Sequence, residues 1–515
     1  MPIETELKLR LSPDGVARLQ RNTLLKSLSI SKPITQRLYS IYYDTPKLDL
    51  NRHGIGLRLR RSGRRWVQTI KGGGGVTAGL HQRNEWEFPV LKEQLDFTKI
   101  TDPALIKLFS SAELRDQLRP IFTTDFKRSA RMLCLPDGGE VEFCLDRGEI
   151  IYGDNRIPLC EVELELKSGR PGQLFQLALE LLNSVPFRLE NVSKAERGYM
   201  LCLNGDSLPI KSGQVKLDPE MSVSNAFKAI SWSCLNHLHA NESGMLAGQD
   251  NEYLHQMRVA LRRQRSAMSL FSKVLPKDGL SSLSRELKWL GNQLGPARDW
   301  DVFLMETLAP ICASFSEHTG MKVLQDRCNQ LRRQHHESAC HAIESNHYVQ
   351  LMLQMGEWLI EEDWFDQTGT SPIKMAGTQP GTTAKKFADN LLADRHRKMM
   401  KKGEGLTSFS VAELHDLRII AKKQRYAAEF FAGLYPSRGA GRYIRALSSL
   451  QGILGVMNDT ANAKRLLSEL PVERDTDRLQ EAVGMILGWS EGLASLKRLE
   501  LERAWMRFIK AKVFW

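Results

Sequence analysis

The first stretch, Ile3-Glu4-Thr5-Glu6-Leu7-Lys8-Leu9-Arg10, alternates strictly. Ile3, Leu7 and Leu9 fall on one parity; Glu4, Glu6, Lys8 and Arg10 fall on the other. A period of two predicts a strand with one dry and one wet face, which an ordinary surface strand also shows. The pattern returns, however. Leu57-Arg58-Leu59-Arg60 repeats it, and Arg83, Glu85 and Glu87 share a parity across Asn84, Trp86 and Phe88. Glu142 and Asp146 do the same across Phe143 and Leu145, as do Glu161, Glu163 and Glu165 across Val162, Leu164 and Leu166. Strands are predicted near 3–10, 36–44, 55–61, 65–72, 80–90, 121–134, 140–146, 149–152 and 158–167. Ser12-Pro13-Asp14 opens a short helix, a second helix is expected at 171–184, and Ser193-Lys194-Ala195-Glu196 is a capping box opening a third to about Leu203. Gly72 to Gly75 follow Lys71 without a helix behind them, so they read as a mobile turn rather than a phosphate-cradling loop.

An open sheet could place these charges in water. The similar numbers of acids and bases, each opposite an apolar face, point instead to an antiparallel barrel turned inside out. Charges would line a lumen, and apolar side chains would face covering helices. Such a lumen holds Glu4, Glu6, Asp146, Glu161 and Glu163 beside Arg58, Arg60, Lys71, Arg83 and Arg128. Buried charges must be paired or metal-bound. Clustered carboxylates suit a hard divalent cation such as magnesium or manganese, and guanidinium forks suit phosphate oxygens. A polyphosphate chain with its metal meets both demands.

Past a linker at 206–222, marked by Pro209, Gly213 and Pro219, the periodicity turns almost wholly helical. A repeat at an offset of 160 aligns His255-x-x-Arg258 with His415-x-x-Arg418, Gln264-Arg265 with Gln424-Arg425, Phe271 with Phe431, Pro276 with Pro436, and Asp299 with Asp459. Gap-free correspondence of this kind implies duplicated helical bundles, about 223–365 and 383–515. His255, Arg258, Arg262 and Arg265 share one helical face, and so do His415, Arg418, Lys422 and Arg425. Like charges stacked this way repel, so either anions or acids face them or the face is simply solvated. His335-His336 beside Arg332-Arg333 carries no ligand spacing and reads as surface histidine.

Composition adds direction. Net charge is +12, about +6 in residues 1–205 and about +6 in the remainder, which suits a polyanionic partner: nucleic acid, an acidic membrane or polyphosphate. The basic helices lack interleaved aromatics for base stacking, which argues against nucleic acid. No apolar run approaches a membrane span, and the first residues form a charged strand rather than a signal peptide. Eight scattered cysteines without a CxxC pair fit reduced thiols in a cytoplasmic protein.

Glu4-x-Glu6-x-Lys8 resembles the ExExK motif of the CYTH superfamily, the triphosphate tunnel metalloenzymes. Further matches follow in order: Tyr42-Tyr43-Asp44-Thr45, Gly56-Leu57-Arg58-Leu59-Arg60, Thr69-Ile70-Lys71, Arg83-x-Glu85, Phe126-Lys127-Arg128, Leu145-Asp146, Glu161-Val162-Glu163 and Ser193-Lys194. His-x-x-Arg-Val with Arg262-Arg263-x-Arg265, and Leu294-Gly295-x-x-Arg298-Asp299-x-Asp301-Val302, resemble the CHAD domain, as does the Phe514-Trp515 ending. The second copy departs from that pattern, with Lys422-Lys423 for the arginines and Asn458 where Arg298 stands in the first.

The resemblance implies a CYTH domain over 1–205 and a CHAD domain over 223–515: an α+β antiparallel barrel with flanking helices, then an all-α domain of two duplicated bundles. It implies a cytoplasmic inorganic triphosphatase that cleaves tripolyphosphate to pyrophosphate and phosphate. Lys8, Arg58, Arg60, Lys71, Arg83, Arg128 and Lys194 would bind phosphate, and Glu4, Glu6, Asp146, Glu161 and Glu163 would hold magnesium or manganese. Glu85, Glu142 and Glu165 would orient the bases. His255, Arg258, Arg262, Arg263, Arg265, His415, Arg418, Lys422 and Arg425 would bind inorganic polyphosphate and attach the protein to its granules. The alternative is an adaptor that binds polyphosphate and hydrolyses it slowly or not at all.

Overall fold

A computed structural model describes residues 3–203, 208–360, 382–470 and 476–515. Residues 204–207, spanning the end of the expected 1–205 domain and the head of the linker, 361–365, at the end of the first expected repeat, and 471–475, within the second, lie outside them. The chain forms two units. One is Met1–Leu208 with Glu344–Glu361; the other is Pro209–Ile343 with Glu362–Trp515.

The first unit is built on nine antiparallel strands: β1 Ile3–Leu11, β2 Ile34–Asp44, β3 Ile55–Ser62, β4 Arg65–Thr77, β5 Leu80–Val90, β6 Arg119–Cys134, β7 Glu140–Tyr152, β8 Asn155–Ser168 and β9 Phe187–Leu189. They run in the order β5-β4-β3-β2-β6-β7-β8-β1, and a further β5–β1 pairing closes eight of them into a barrel. The short β9 pairs with the far end of β1. Two predicted strands, 140–146 and 149–152, are one continuous strand here. Gly72 to Gly75 are not a turn. They lie inside β4, where the β4–β5 register shifts between Gly72 and Gly75. Gly73 and Gly74 have φ of +68° and +80°, and a Cβ on Gly74 would lie 1.8 Å from the Gln82 carbonyl oxygen. A side chain fits neither the backbone angle nor the space, so glycine lets the strand bulge and continue.

Alternation explains the layering. Leu57 and Ile70, on the outer parity of β3 and β4, pack with Ile100, Leu105 and Phe109 beneath the helix Pro103–Phe109. The helix Gly172–Leu182 buries Leu174, Phe175, Ala178 and Leu181. The helix Asn346–Ile360, which periodicity alone groups with the helical half, belongs to this unit: its Gly356 packs on Phe175. The helix Lys194–Leu203 seats on Tyr42, Phe122 and Ile150 through Tyr199. A Cβ on Gly198 would meet the Phe122 ring at 2.0 Å, so glycine sets how closely this helix approaches the barrel.

The second unit is helical, and its duplication is visible in element boundaries. Asn251–Phe271 and Val411–Phe431 begin and end 160 residues apart. Lys277–Val302 and Ser437–Ser468 start 160 apart, each capped by a proline, Pro276 and Pro436. Phe227 and Phe387 also differ by 160, as do Phe271 and Phe431. Phe271 lies 5.2 Å from Phe227, 4.9 Å from Phe387 and 6.0 Å from Phe431, centroid to centroid. The two copies therefore share one aromatic centre, in the tilted arrangements such rings prefer. Among the described residues no helix is long and apolar enough to cross a membrane. The eight cysteines are free thiols.

Candidate active site

Closing the barrel makes neighbours of charges far apart in sequence. Cross-strand register sets Lys8 opposite Glu163, Arg128 opposite Asp146, Asp146 opposite Glu161, and Lys71 opposite Glu85. It also sets Glu4 opposite Arg83. Directly opposed residues on one face stand close enough to pair. The wet faces converge on a cavity of about 690 Å³. Lys8, Arg58, Arg60, Lys71, Arg83, Arg128, Lys194 and Glu85 all line it, and so do Glu4, Glu6 and Glu163.

The expected metal-binding set divides. Asp146 and Glu161 do not line the cavity; each is 0% exposed in the wall behind Glu163. Carboxylate oxygens of Asp146, Glu161 and Glu163 nevertheless lie within 4.8 Å of one another. Cations hold them there. Arg128 forks onto Asp146 at 2.7 and 2.6 Å and also reaches Glu163. Lys194 Nζ lies 2.7 Å from Asp146 and 2.8 Å from Glu163, and pairs with Glu161. Burial alone would raise the Glu163 carboxyl, but Lys194, Lys8 and Arg128 hold it well below the usual carboxylate range. A cluster of ionised oxygens of this kind suits a hard divalent ion.

Elsewhere the lumen alternates in sign. Lys8 sits 2.8 Å from Glu6 and pairs with Glu163. Lys71 pairs with Glu4 and lies 3.2 Å from Glu85. Arg58 lies 3.4 Å from Glu85 and 3.7 Å from Glu87. Arg60 differs from the rest. It reaches only the Ser40 hydroxyl, at 3.3 Å, and pairs with no carboxylate among the described residues. Burial, then Arg58 and Arg128, pulls its guanidinium down to about 10. Eight carboxylates and eight Lys or Arg side chains line the cavity among the described residues. Without a ligand their charges cancel, so a bound polyanion calls for added positive charge.

Local structure positions the outlying groups. Ser193 and Glu196 close the expected capping box: the Ser193 N–H donates to Glu196 at 2.7 Å, and the Glu196 N–H donates to the Ser193 hydroxyl at 3.2 Å. Lys194 is the first residue of the capped helix and reaches the lumen from there. Glu196 also accepts from Arg83 at 2.9 Å, so one carboxylate serves a cap and a cavity arginine together. Asp44, in the Tyr42-Tyr43-Asp44-Thr45 stretch, takes a structural role. It is buried and accepts the backbone N–H groups of Thr45, Leu50 and Asn51 at 2.7, 2.9 and 2.9 Å. Tyr42 stacks on Phe122 at 4.5 Å with its hydroxyl 3.5 Å from Arg58.

Sequence reading passed over Arg197. Its guanidinium takes the Glu161 oxygen that Lys194 leaves free, and lies 3.7 Å from Glu190. The spacing Lys194-x-x-Arg197 in a capped helix was the available signal, since residues three apart share a face. Glu87 was visible only as a parity match to Glu85, and Lys167 joins Glu142 and Glu165 at the cavity, 3.0 Å from Glu142.

In the helical unit the two basic faces come together. Arg262 lies close enough to Arg418 and Lys422 to depress both. Burial, then Arg418, Arg262 and Arg425, pulls the Lys422 ammonium down to about 7. Burial and Arg298 pull the His255 ring down to about 4; burial and Arg262 pull Arg258 down to about 10. Arg258 donates to the Gly291 carbonyl at 3.0 Å. Arg262, Arg418 and Lys422 form no ion pair among the described residues. Arg265 and His415 stand exposed, His415 3.0 Å from Asn458. Arg425 is committed to Glu429 at 2.9 Å and Gln451 at 2.8 Å. Arg263 leaves the expected basic set: it is buried, 3.0 Å from Glu429 and over the Phe430 ring. It sits next to Arg262 in sequence, so it faces another side of the helix. His336 is likewise not a plain surface residue; with Arg332, it hydrogen-bonds the buried Asp301 carboxylate at 2.9 Å.

Residues 2–199 match the family model described as the CYTH domain, and residues 229–468 that of the CHAD domain. An inorganic triphosphatase of Haemophilus influenzae is 33% identical over 203 residues, 38% of this chain and 54% of that protein. The chain thus matches about half the length of that relative. An uncharacterised protein of Mycobacterium tuberculosis is 24% identical over 501 residues, 93% of this chain and 91% of its own. The crystal structure of the CHAD domain from the plant Ricinus communis matches 60% of this chain and 99% of its own, at 31% identity and a TM-score of 0.52.

Proposed function

From a chain that joins a CYTH domain to a CHAD domain, we propose a metal-dependent inorganic triphosphatase whose basic helical faces bind inorganic polyphosphate. One observation carries the reading: a closed barrel whose cavity is lined by eight carboxylates and eight Lys or Arg side chains among the described residues, with Arg60 in no ion pair. Tripolyphosphate is the substrate of choice because the cavity offers guanidinium and ammonium groups on several walls. Lys8, Arg58, Arg60, Lys71, Arg83, Arg128 and Lys194 hold the phosphate oxygens, with the Arg forks giving planar two-point contacts.

Glu4, Glu6 and Glu163 on the wall, backed by Asp146 and Glu161, would hold magnesium or manganese. When bound, such an ion neutralises phosphate charge and acidifies an attacking water. The chain's own residues do the rest. A water oxygen bonds to the terminal phosphorus, the bridging P–O bond breaks, and phosphate and pyrophosphate result. Arg60 and Arg58 meet the charge that develops on the transferred group, in a site already arranged for it. Glu85 fixes Arg58 and Lys71, and Glu196 fixes Arg83. Glu142 and Glu165 border the cavity beside Lys167.

Arg258, Arg262, Arg418 and Lys422 supply the polyphosphate surface. Among the described residues only Asp299 beside Arg258 and Asp459 beside Arg418 and Lys422 offset these cations, and gathered cations repel one another until an anion joins them. The granule association expected from the sequence rests on this surface; the cytoplasmic setting rests on the scattered thiols.

The test is phosphate release from tripolyphosphate, ATP, thiamine triphosphate and long-chain polyphosphate, with and without magnesium, by the full chain. Strong metal-dependent release from tripolyphosphate is expected. No release from any substrate, with polyphosphate still bound, would leave the adaptor reading in its place.

A further inference from the structure

The two helical copies differ sharply just behind their capping prolines. At the 160-residue offset, 277–286 of the first copy aligns with 437–446 of the second, after Pro276 and Pro436. The first stretch balances Lys277 and Arg285 with Asp278 and Glu286; the second carries Arg438, Arg442 and Arg445 and no acid. Spacings of four and three set these three arginines on one face of the helix Ser437–Ser468. All three are exposed. With Ser437 and Gly441 they line a hollow of about 440 Å³ that no carboxylate borders among the described residues. None of the three makes an ion pair or a hydrogen bond among the described residues. Like charges one turn apart cost a helix stability, and the first copy forms its helix without them.

The same helix leads from this hollow to the basic face described above. Exposed Ser448, Ser449 and Gly452 follow Arg445 along it, and a Cβ on Gly452 would meet nothing within 4 Å. On the adjoining side of the helix Gln451 accepts from Arg425 at 2.8 Å, and Asp459 stands beside Arg418 and Lys422. Arg438 and Asp459 are 21 residues apart in sequence, about 31 Å along the helix axis.

We propose that the hollow is a second foothold for a phosphate chain whose first is the face of Arg258, Arg262, Arg418 and Lys422. Long chains are held at both, short ones at the first alone. This rests on the polyphosphate binding proposed above for that face. Guanidinium groups without an acid suit phosphate oxygens. The small side chains between the two places leave an open path, and an extended polyanion is a ligand that reaches both. Single-stranded nucleic acid fits less well, because Tyr443, the aromatic residue of this stretch, is buried and offers no stacking surface. An acidic membrane also fits less well, since no large apolar residue of 437–446 is exposed to enter it.

The test is titration of fluorescent polyphosphate of graded length onto the full chain, at constant ionic strength. In Arg438→Gln with Arg442→Gln and Arg445→Gln, affinity for chains long enough to cover the distance should fall about 100-fold, the scale of losing one of two linked contacts. Shorter chains should bind as before, and phosphate release from tripolyphosphate should not change. The corresponding triple lysine variant keeps the charge and should recover most of the long-chain affinity, which separates lost contact from lost folding. Equal affinity of the natural chain and the glutamine variant at every length would overturn the proposal. So would an equal loss at every length, which would make the hollow part of the first face, or a loss for single-stranded DNA with none for polyphosphate. A natural chain that binds no polyphosphate of any length would overturn the reading of the first face as well.

Discussion

Lys194 and Arg197 stand one turn apart on one helix and close on the two oxygens of a single buried carboxylate, Glu161. Lys194 also lines the cavity; Arg197 does not. Arg197 therefore acts through Glu161, holding the back of the acidic cluster while Lys194 reaches forward.

Arg197→Gln should lower stability by about 1–3 kcal/mol, the range for losing a hydrogen bond to a buried charged group. Urea unfolding of the full chain measures it. In the proposed reaction the same variant should lower kcat with KM little changed, because no group that touches substrate is removed. An unchanged unfolding midpoint would show that Lys194 alone holds Glu161.

Arg60 and Arg128 should respond differently to alanine. Arg60 has no acid to abandon, so Arg60→Ala should leave thermal unfolding unchanged and lower kcat/KM for tripolyphosphate about 10- to 100-fold, the equivalent of one charged hydrogen-bonding group. Lysine should rescue it poorly, since a point charge lacks the fork. Arg128→Ala takes the guanidinium fork from Asp146 and leaves Asp146 and Glu163 to Lys194 and Lys8, so it should destabilise the fold by about 1–3 kcal/mol as well as removing activity. Calorimetry beside kinetics separates the two.

Glu4→Gln with Glu6→Gln keeps shape and removes two negative charges from the lumen. Metal-dependent phosphate release should fall by about 100-fold or more, the scale of losing electrostatic groups from a preorganised site. Full magnesium-dependent activity in this variant would overturn the assignment of these two residues.

Lys422, pulled down to about 7, is mostly neutral at pH 8 and mostly charged at pH 6. An anion binds the charged form better, so affinity for long-chain polyphosphate should rise as pH falls through 7. His255, near 4, stays neutral across that window and adds nothing to it. Lys422→Arg, charged throughout, should flatten the dependence. Titrating fluorescent polyphosphate at several pH values and constant ionic strength is the measurement.

Much of this arrangement is written in the order of residues. Strict alternation in β1, with Glu4, Glu6 and Lys8 on one parity, is enough to specify a charged face, and recurrence on other strands makes that face a lumen. The 160-residue offset anticipates where the helices at Asn251 and Val411, and at Lys277 and Ser437, begin, because duplication copies caps such as Pro276 and Pro436 along with faces. Depth is what alternation does not carry. Asp146, Glu161 and Glu163 look equivalent by parity, yet only Glu163 meets the cavity; the position of Arg128 and Lys194 decides which carboxylate is walled in. Arg263 shows the same limit on a helix. It sits among basic residues in sequence, but the next residue is rotated by a hundred degrees, and it ends up on Glu429. Gly72 to Gly75 misled for another reason: glycine signals freedom, and only the facing Gln82 backbone shows that the freedom is used for a bulge.

The cancelling charge of the lumen also bears on how velocity varies with substrate. An electrically neutral cleft has little pull on a naked triphosphate. The productive species would be the anion already carrying its divalent partner. Free triphosphate in excess would then strip ions from solution and compete as an unproductive guest. At fixed magnesium, a plot of rate against tripolyphosphate would climb, peak and turn down, and the peak would move with the metal.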